Sequence, residues 1–378
     1  MNHYPSNVKE KLNSIILSMA EHHWLFSKNP GHDFTRQHLG KLSFYDTMRL
    51  IISMGKGSTN DEIMDYFDLD PDLIPSQSAF CQRRRQISLS AFEYLFSEFS
   101  SSFPSTTDKF KDHCILACDG CHVVYATNSD IIEDYNKPRL IDYKGYNHMH
   151  LNGFVDVISK AFLDVVIQPG QQPDEREALH SMLDHFTPDD PQKYIITADR
   201  GYESYDLLFH CELKNLGYVF RVKSPSSPKS ILSYYASEFP DDLEEFDVTI
   251  KRFFTDKATN IMKSQSDVYR YINPSKNTPH FYELLRKNHS HLYFLQFRVV
   301  KIKTSENTYE YLITNLPFSF TLDDIRECYH WRWGIEISFC YLKHAAGLLY
   351  FHSKQPEFLK QEIYSRLILY NFGIFIAN

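Results

Sequence analysis

Glycine is scarce in this 378-residue chain, at 13 residues. Neither G-x-G-x-x-G nor G-x-x-x-x-G-K-[ST] occurs, which excludes the glycine-rich phosphate cradles of dinucleotide enzymes and P-loop NTPases. No run of about 18 apolar residues is present, so no segment reads as spanning a membrane. Residues Met1 to Lys11 are polar and lack the apolar core of a secretory signal. The cysteines number seven, an odd count spread over a long chain. That fits a reducing compartment better than a disulfide framework, and a cytoplasmic location is expected. Basic residues are in deficit, with 40 Lys+Arg against 48 Asp+Glu and a net charge of −8. This argues against an overall basic nucleic-acid binder, although a local basic groove is compatible with it. Tryptophan is confined to Trp24, Trp331 and Trp333.

Aromatics are otherwise abundant, with 25 Tyr and 29 Phe, and the chain is 43% hydrophobic and 23% charged. That is the composition of a globular protein with a large core. At roughly 100–200 residues per domain, two or three domains are expected. Residues 1–103 read as all-helical: an amphipathic helix over 6–26, a second over 43–54, a Gly55–Gly57 break, a third capped by Ser58 or Thr59, and a fourth from Ser76 through Arg83-Arg84-Arg85. Helix, glycine turn, helix is also the DNA-binding helix-turn-helix arrangement, although most such pairs are plain hairpins. The Arg83–Arg85 cluster is either a solvated helix face or a DNA contact.

After a break at Phe103-Pro104-Ser105 the pattern changes. Cys114–Cys118 and Tyr194–Ala198 read as short buried strands, Leu151–Val157 with Ala161–Ile167 as a hairpin, and Asp174–Leu183 and Ser204–Leu216 as helices. This predicts a mixed α/β sheet covered by helices. Residues 224–315 read as a β-rich insertion, with strands near 246–253, 292–302 and 309–313. A long helix, capped by Thr321, is expected to run to about Ala346, and a last one covers Glu357–Ile374.

The candidate chemistry lies in three acids. Asp119 follows the apolar run Cys114–Cys118, and Asp199 follows Tyr194–Ala198. Either alone is as readily a turn former. On the long helix, Tyr329, Arg332, Glu336 and Lys343 fall at roughly 0°, 300°, 340° and 320°, one narrow stripe. That stripe is either a solvent salt-bridge ladder or a metal carboxylate beside phosphate-binding cations. The surrounding Trp331, Trp333, Ile335, Ile337, Phe339, Tyr341 and Leu342 suggest a helix buried nearly all round, where charges need partners. Three carboxylates suit two hard divalent cations, and such pairs clamp the attacking and leaving oxygens of phosphoryl transfer. Cys114, Cys118 and Cys121 have iron–sulfur spacing but straddle a strand. His148 and His150 with Cys121-His122 form no closed zinc pattern.

Tyr329, Arg332, Glu336 and Lys343 together spell Tyr-x2-Arg-x3-Glu-x6-Lys. In this the chain resembles bacterial insertion-sequence transposases of the DDE type, in the branch that carries that signature. Cys118-Asp119-Gly120 and Ala198-Asp199-Arg200-Gly201-Tyr202 resemble the surroundings of the family's first and second acids. The resemblance implies a ribonuclease H-like mixed sheet over 104–223 and 316–378, interrupted by the insertion 224–315 and preceded by a helical DNA-binding region, 1–103. It implies that Asp119, Asp199 and Glu336 hold two Mg²⁺ ions, with Mn²⁺ substituting. Tyr329, Arg332, Trp333 and Lys343, with Arg83, Arg84 and Arg85, would contact DNA. Trp333 would stack on a flipped base. The implied partners are transposon ends and target DNA, bound by a homodimer that cuts and joins strands. The chain stops at Asn378 in or just after an apolar helix, so the alternative is a truncated or catalytically silent DNA-binding copy.

Overall fold

The computed structural model describes residues 4–35, 42–103, 109–137, 145–240, 242–257, 259–273 and 278–377. The expected break at Pro104-Ser105 lies outside the described residues. Five helices open the chain: α1 (Tyr4–Glu21), α2 (Phe44–Ser53), α3 (Thr59–Tyr66), α4 (Gln77–Gln86) and α5 (Leu89–Ser101). Their starts are chemical. Ser43 with Asp46, and Ser58 with Asp61, form reciprocal capping boxes on α2 and α3, and Ser76 caps α4.

Next come β1 (Cys114–Tyr125), β2 (Tyr135–Asn136), β3 (Tyr146–Asp156), β4 (Phe162–Pro169), α6 (Glu175–His185), β5 (Tyr194–Ala198), α7 (Tyr205–Leu213) and β6 (Gly217–Val222). The expected insertion holds β7 (Phe246–Thr255), α8 (Asn260–Ser264), β8 (Tyr269–Tyr271), α9 (Pro279–Lys287), β9 (Leu292–Ser305) and β10 (Thr308–Thr314). The chain then runs through α10 (Leu322–Trp331), α11 (Gly334–His344) and α12 (Pro356–Ala377).

Among the described residues, ten strands make one mixed sheet, in the order β2-β3-β1-β5-β6-β10-β9-β7-β8, with β4 also on β3. β5 pairs in parallel with both β1 and β6. β10 pairs antiparallel with β6, so the strands of the insertion extend the same sheet. Each face of the sheet carries a core. Along β1, Ile115 and Ala117 join the core shared with α1–α5 and α10–α12, whereas Leu116 and Cys118 join the core shared with α6, α7 and α9. That alternation is the pleat of a strand buried on both faces.

Three expectations change. β1 does not end at Cys118: it continues through Asp119 to Tyr125, because β3 pairs with it as far as Asn147. The long helix is broken at Arg332-Trp333, where the backbone bonds tighten from i−4 to i−3. Nor is it buried all round, since Trp331, Trp333, Ile337 and Tyr341 are 39–52% exposed.

Arg84 also departs from its expected role. Its guanidinium points inward and meets Glu362 at 2.8 Å, Gln361 at 3.0 Å and the Phe358 carbonyl at 2.7 Å, all on α12. Both members of the ion pair are almost wholly buried. Arg84 is therefore withdrawn as a DNA contact: it joins the helical N-terminal region to α12. Arg83 bonds Gln86 and packs over Phe34, and Arg85 is exposed. Removing one member of a buried pair strands the other, so Arg84→Ala should cost roughly 3–5 kcal/mol in urea denaturation. Arg85→Ala should stay within about 0.5 kcal/mol.

Candidate active site

The two aspartates meet through strand register. β1 and β5 pair with Leu116 opposite Ile196 and Ala117 opposite Thr197. Continued two residues further, that register sets Asp119 on β1 against Asp199, the residue directly after β5; neighbouring strands lie about 4.8 Å apart. Both are half-buried. Asp119 Oδ1 accepts the Gly120 amide at 2.8 Å. Asp199 Oδ1 accepts the Gly201 amide at 2.7 Å and caps the short turn at residues 200–202.

The third acid arrives through an arginine. Arg332, only 4% exposed, places Nη1 3.5 Å from Asp119 and Nη2 3.3 Å from Glu336. The tight turn between α10 and α11 makes this possible, and Gly334 lets it approach Val157, directly after β3, because a Cβ there would meet that side chain at 3.2 Å. The Glu336 side chain is 46% exposed, on the rim rather than in the buried setting expected of it. Lys343, further along α11, lies against Cys121 on β1, where it partly offsets the burial that pushes the Cys121 thiol up to about 11. Arg332 also lies over the rings of Trp333, at 4.9 Å, and Tyr329, at 5.6 Å. Tyr329 is buried. Its hydroxyl faces the Arg332 guanidinium, and the two side chains interact directly.

A fourth carboxylate lies beside the aspartates. Glu175, at the start of α6, puts Oε1 3.2 Å from His150 Nε2, and its carboxylate crowds the Cβ positions of both Gly120 and Gly201. In the sequence it is indistinguishable from the dipole-favouring acid that normally opens a helix. Only the placement of α6 over β1 reveals it. Burial pushes the Asp119 carboxyl up to about 6; Asp199 and Glu175 add to the rise, while the Gly120 amide and Arg332 oppose it. Carboxylate oxygens are the donors that a hard divalent cation takes. The three cysteines do not converge: Cys118 packs in one core and Cys121 against the other.

Residues 110–372 match the family described as the transposase DDE domain. The chain belongs to that family. The transposase matches no curated protein. Among solved structures it is similar to a piggyBac transposase synaptic complex with hairpin DNA, seen by cryo-EM, with a TM-score of 0.45 and 11% identity over 100% of this chain and 73% of that one. Among the described residues, no helix of the transposase is long and apolar enough to cross a membrane.

The raised Asp119 carboxyl has a signed consequence. The folded chain holds that proton more tightly than the unfolded one, so the stability it contributes is present at about pH 4 and lost as pH rises through about 6. In the presence of a chelator, Asp119→Asn should therefore raise the Tm at pH 8 and leave it nearly unchanged below pH 4. An unchanged or lower Tm at pH 8 would contradict this account of the site.

Proposed function

We propose that the transposase cuts DNA at insertion-sequence ends and joins the freed 3′ ends to target DNA, with Asp119, Asp199 and Glu336 holding two Mg²⁺ ions. The observation that carries this reading is the arrangement just described: Asp119 on β1, Asp199 directly after the parallel strand β5, and Glu336 joined to Asp119 through Arg332. The ions would supply an activated water and a clamp on the attacking and leaving oxygens; Mn²⁺ would substitute.

The chain's own residues perform the rest. Arg332 offsets the acids and presents its guanidinium to a phosphate oxygen. The buried Tyr329 hydroxyl donates a second contact. Lys343 binds the phosphate further along the strand. Trp333, exposed beside Arg332, offers a ring on which an unpaired base stacks, as a hairpin step requires. In this reading the central strands are a ribonuclease H-like core within 104–223 and 316–378, residues 224–315 are the insertion, and 1–103 with Arg83 and Arg85 contacts DNA. Two copies pair on the DNA ends.

Glu336→Gln separates chemistry from binding. On DNA that flanks the protein's own gene, in Mg²⁺, 3′-end nicking should be lost while gel-shift affinity is retained. Undiminished nicking would refute the metal role. Affinity for the ends should fall steeply between 50 and 200 mM salt, as phosphate contacts release counterions; a flat response would exclude a DNA-backbone partner. Binding without nicking in the unmodified protein would leave the silent-copy reading.

A further inference from the structure

The face of the sheet that carries the acids continues into the insertion. On β1, the core shared with α10–α12 takes Ile115 and Ala117, the residues in phase with Asp119. On β9 the same core takes Val300 and Ile302, whereas Leu295, Phe297 and Val299 enter the opposite one. By the two-residue period of a strand, Phe294 and Gln296 share the face of Val300. Their partners on β7 are Phe253 and Lys251. Phe253 in turn pairs with Tyr269 on β8, and Thr255 with Tyr271. This end of the face is open to solvent: Phe294 is 48% exposed, Phe253 38% and Tyr271 37%.

The rings form a row across three strands. The Phe253 centroid is 5.2 Å from that of Phe294 and 6.1 Å from that of Tyr269. Cross-strand pairing of aromatics steadies a sheet, but the solvent face of a strand ordinarily carries polar residues, and contiguous exposed apolar side chains mark a surface that receives something. Charge says what. Lys251 is exposed on this face, and the other ionic residues of its β7 and β9 strands, Asp247 and Arg298, bond each other. The stretches that build this part of the sheet, 246–271 and 292–305, hold eight Lys and Arg against three Asp and no Glu, in a chain whose net charge is −8. A cationic region on an anionic protein draws anionic partners.

We propose that the open face of β9, β7 and β8 binds an unpaired DNA strand, its bases stacking on Phe253, Phe294 and Tyr271 and its phosphates meeting Lys251. Duplex DNA would use the cations and leave the rings idle, because its base faces are hidden in the stack. An apolar protein surface would use the rings and leave the cations idle. A single strand offers bare base faces and phosphates together. The inference rests on the reading that this transposase handles DNA. It adds a surface separate from Trp333 and the acids: β7 lies four strand spacings from β5, roughly 20 Å along the same face, within reach of a strand that leaves the acids unpaired.

The test is fluorescence anisotropy with the full chain in EDTA and a fluorescein-labelled oligothymidylate of about 20 nucleotides, longer than the sites such surfaces occupy. Phe253→Ala or Phe294→Ala should weaken its binding roughly 5- to 150-fold, the range for loss of one stacked ring, with affinity for duplex end DNA unchanged. Phe294→Leu, which keeps the apolar bulk, should bind as weakly as Phe294→Ala. Phe294→Trp should keep the affinity, and its fluorescence should be quenched on binding beyond the quenching of the unmodified chain. Four results overturn the inference and leave the insertion-sequence reading standing: an unmodified chain that binds duplex ends but not the oligothymidylate, unchanged single-strand affinity in folded Ala and Leu variants, an equal loss for duplex ends, or variants that lose only self-association on gel filtration. Binding of neither DNA overturns both.

Discussion

The parallel pairing of β1 with β5 is the constraint on which the site rests. It brings together two aspartates separated by a hairpin, a helix and a strand. The pairing holds because both strands are buried on both faces, so each apolar residue from Ile115 to Cys118 and from Ile195 to Ala198 has a core to enter. A slip of one residue would turn every one of these side chains to the opposite face. The acids are thus positioned by the apolar residues that precede them.

Charge completes the arrangement. Asp119, Asp199 and Glu175 crowd one region, and folding alone does not relieve their repulsion. Arg332 relieves part of it from within α10–α11 while remaining nearly enclosed. The broken helix serves this purpose: a regular helix through residues 332–333 would carry Glu336 and Lys343 onward at a constant angle, whereas the tightened turn places Arg332 against β1 and leaves Trp331, Trp333 and Ile337 facing outward. Those exposed rings beside a buried cation suit a surface that receives flat, anionic ligands.

The helical N-terminal region is bound to the rest through α12. Arg84 reaches Gln361 and Glu362, Asn371 bridges Ser100 and the Phe162 backbone, and Arg366 bonds the Met54 and Gly55 carbonyls. These groups are buried, so losing a partner across this junction would leave a polar atom unsatisfied. Through β4 and α12, the first hundred residues are coupled to the same sheet that carries the aspartates.

Much of this was legible in the sequence because it is governed by local rules. Capping residues marked helix starts at Ser58 or Thr59 and at Thr321, Ser76 marked the start of another, the apolar segments Leu151–Val157 and Ala161–Ile167 marked the β3–β4 hairpin, and helical spacing put Arg332 and Glu336 within reach of each other. The Tyr-Arg-Glu-Lys spacing carried the family resemblance. What the chain order could not carry was partnership across space. Arg84 looks like its neighbours Arg83 and Arg85 until α12 arrives opposite it. Glu175 looks like an ordinary helix-opening acid until α6 settles over β1. A residue's neighbours along the chain set its backbone, but its charge state and its ligands depend on which groups the folded sheet and helices bring within a few ångströms, and that only the tertiary structure decides.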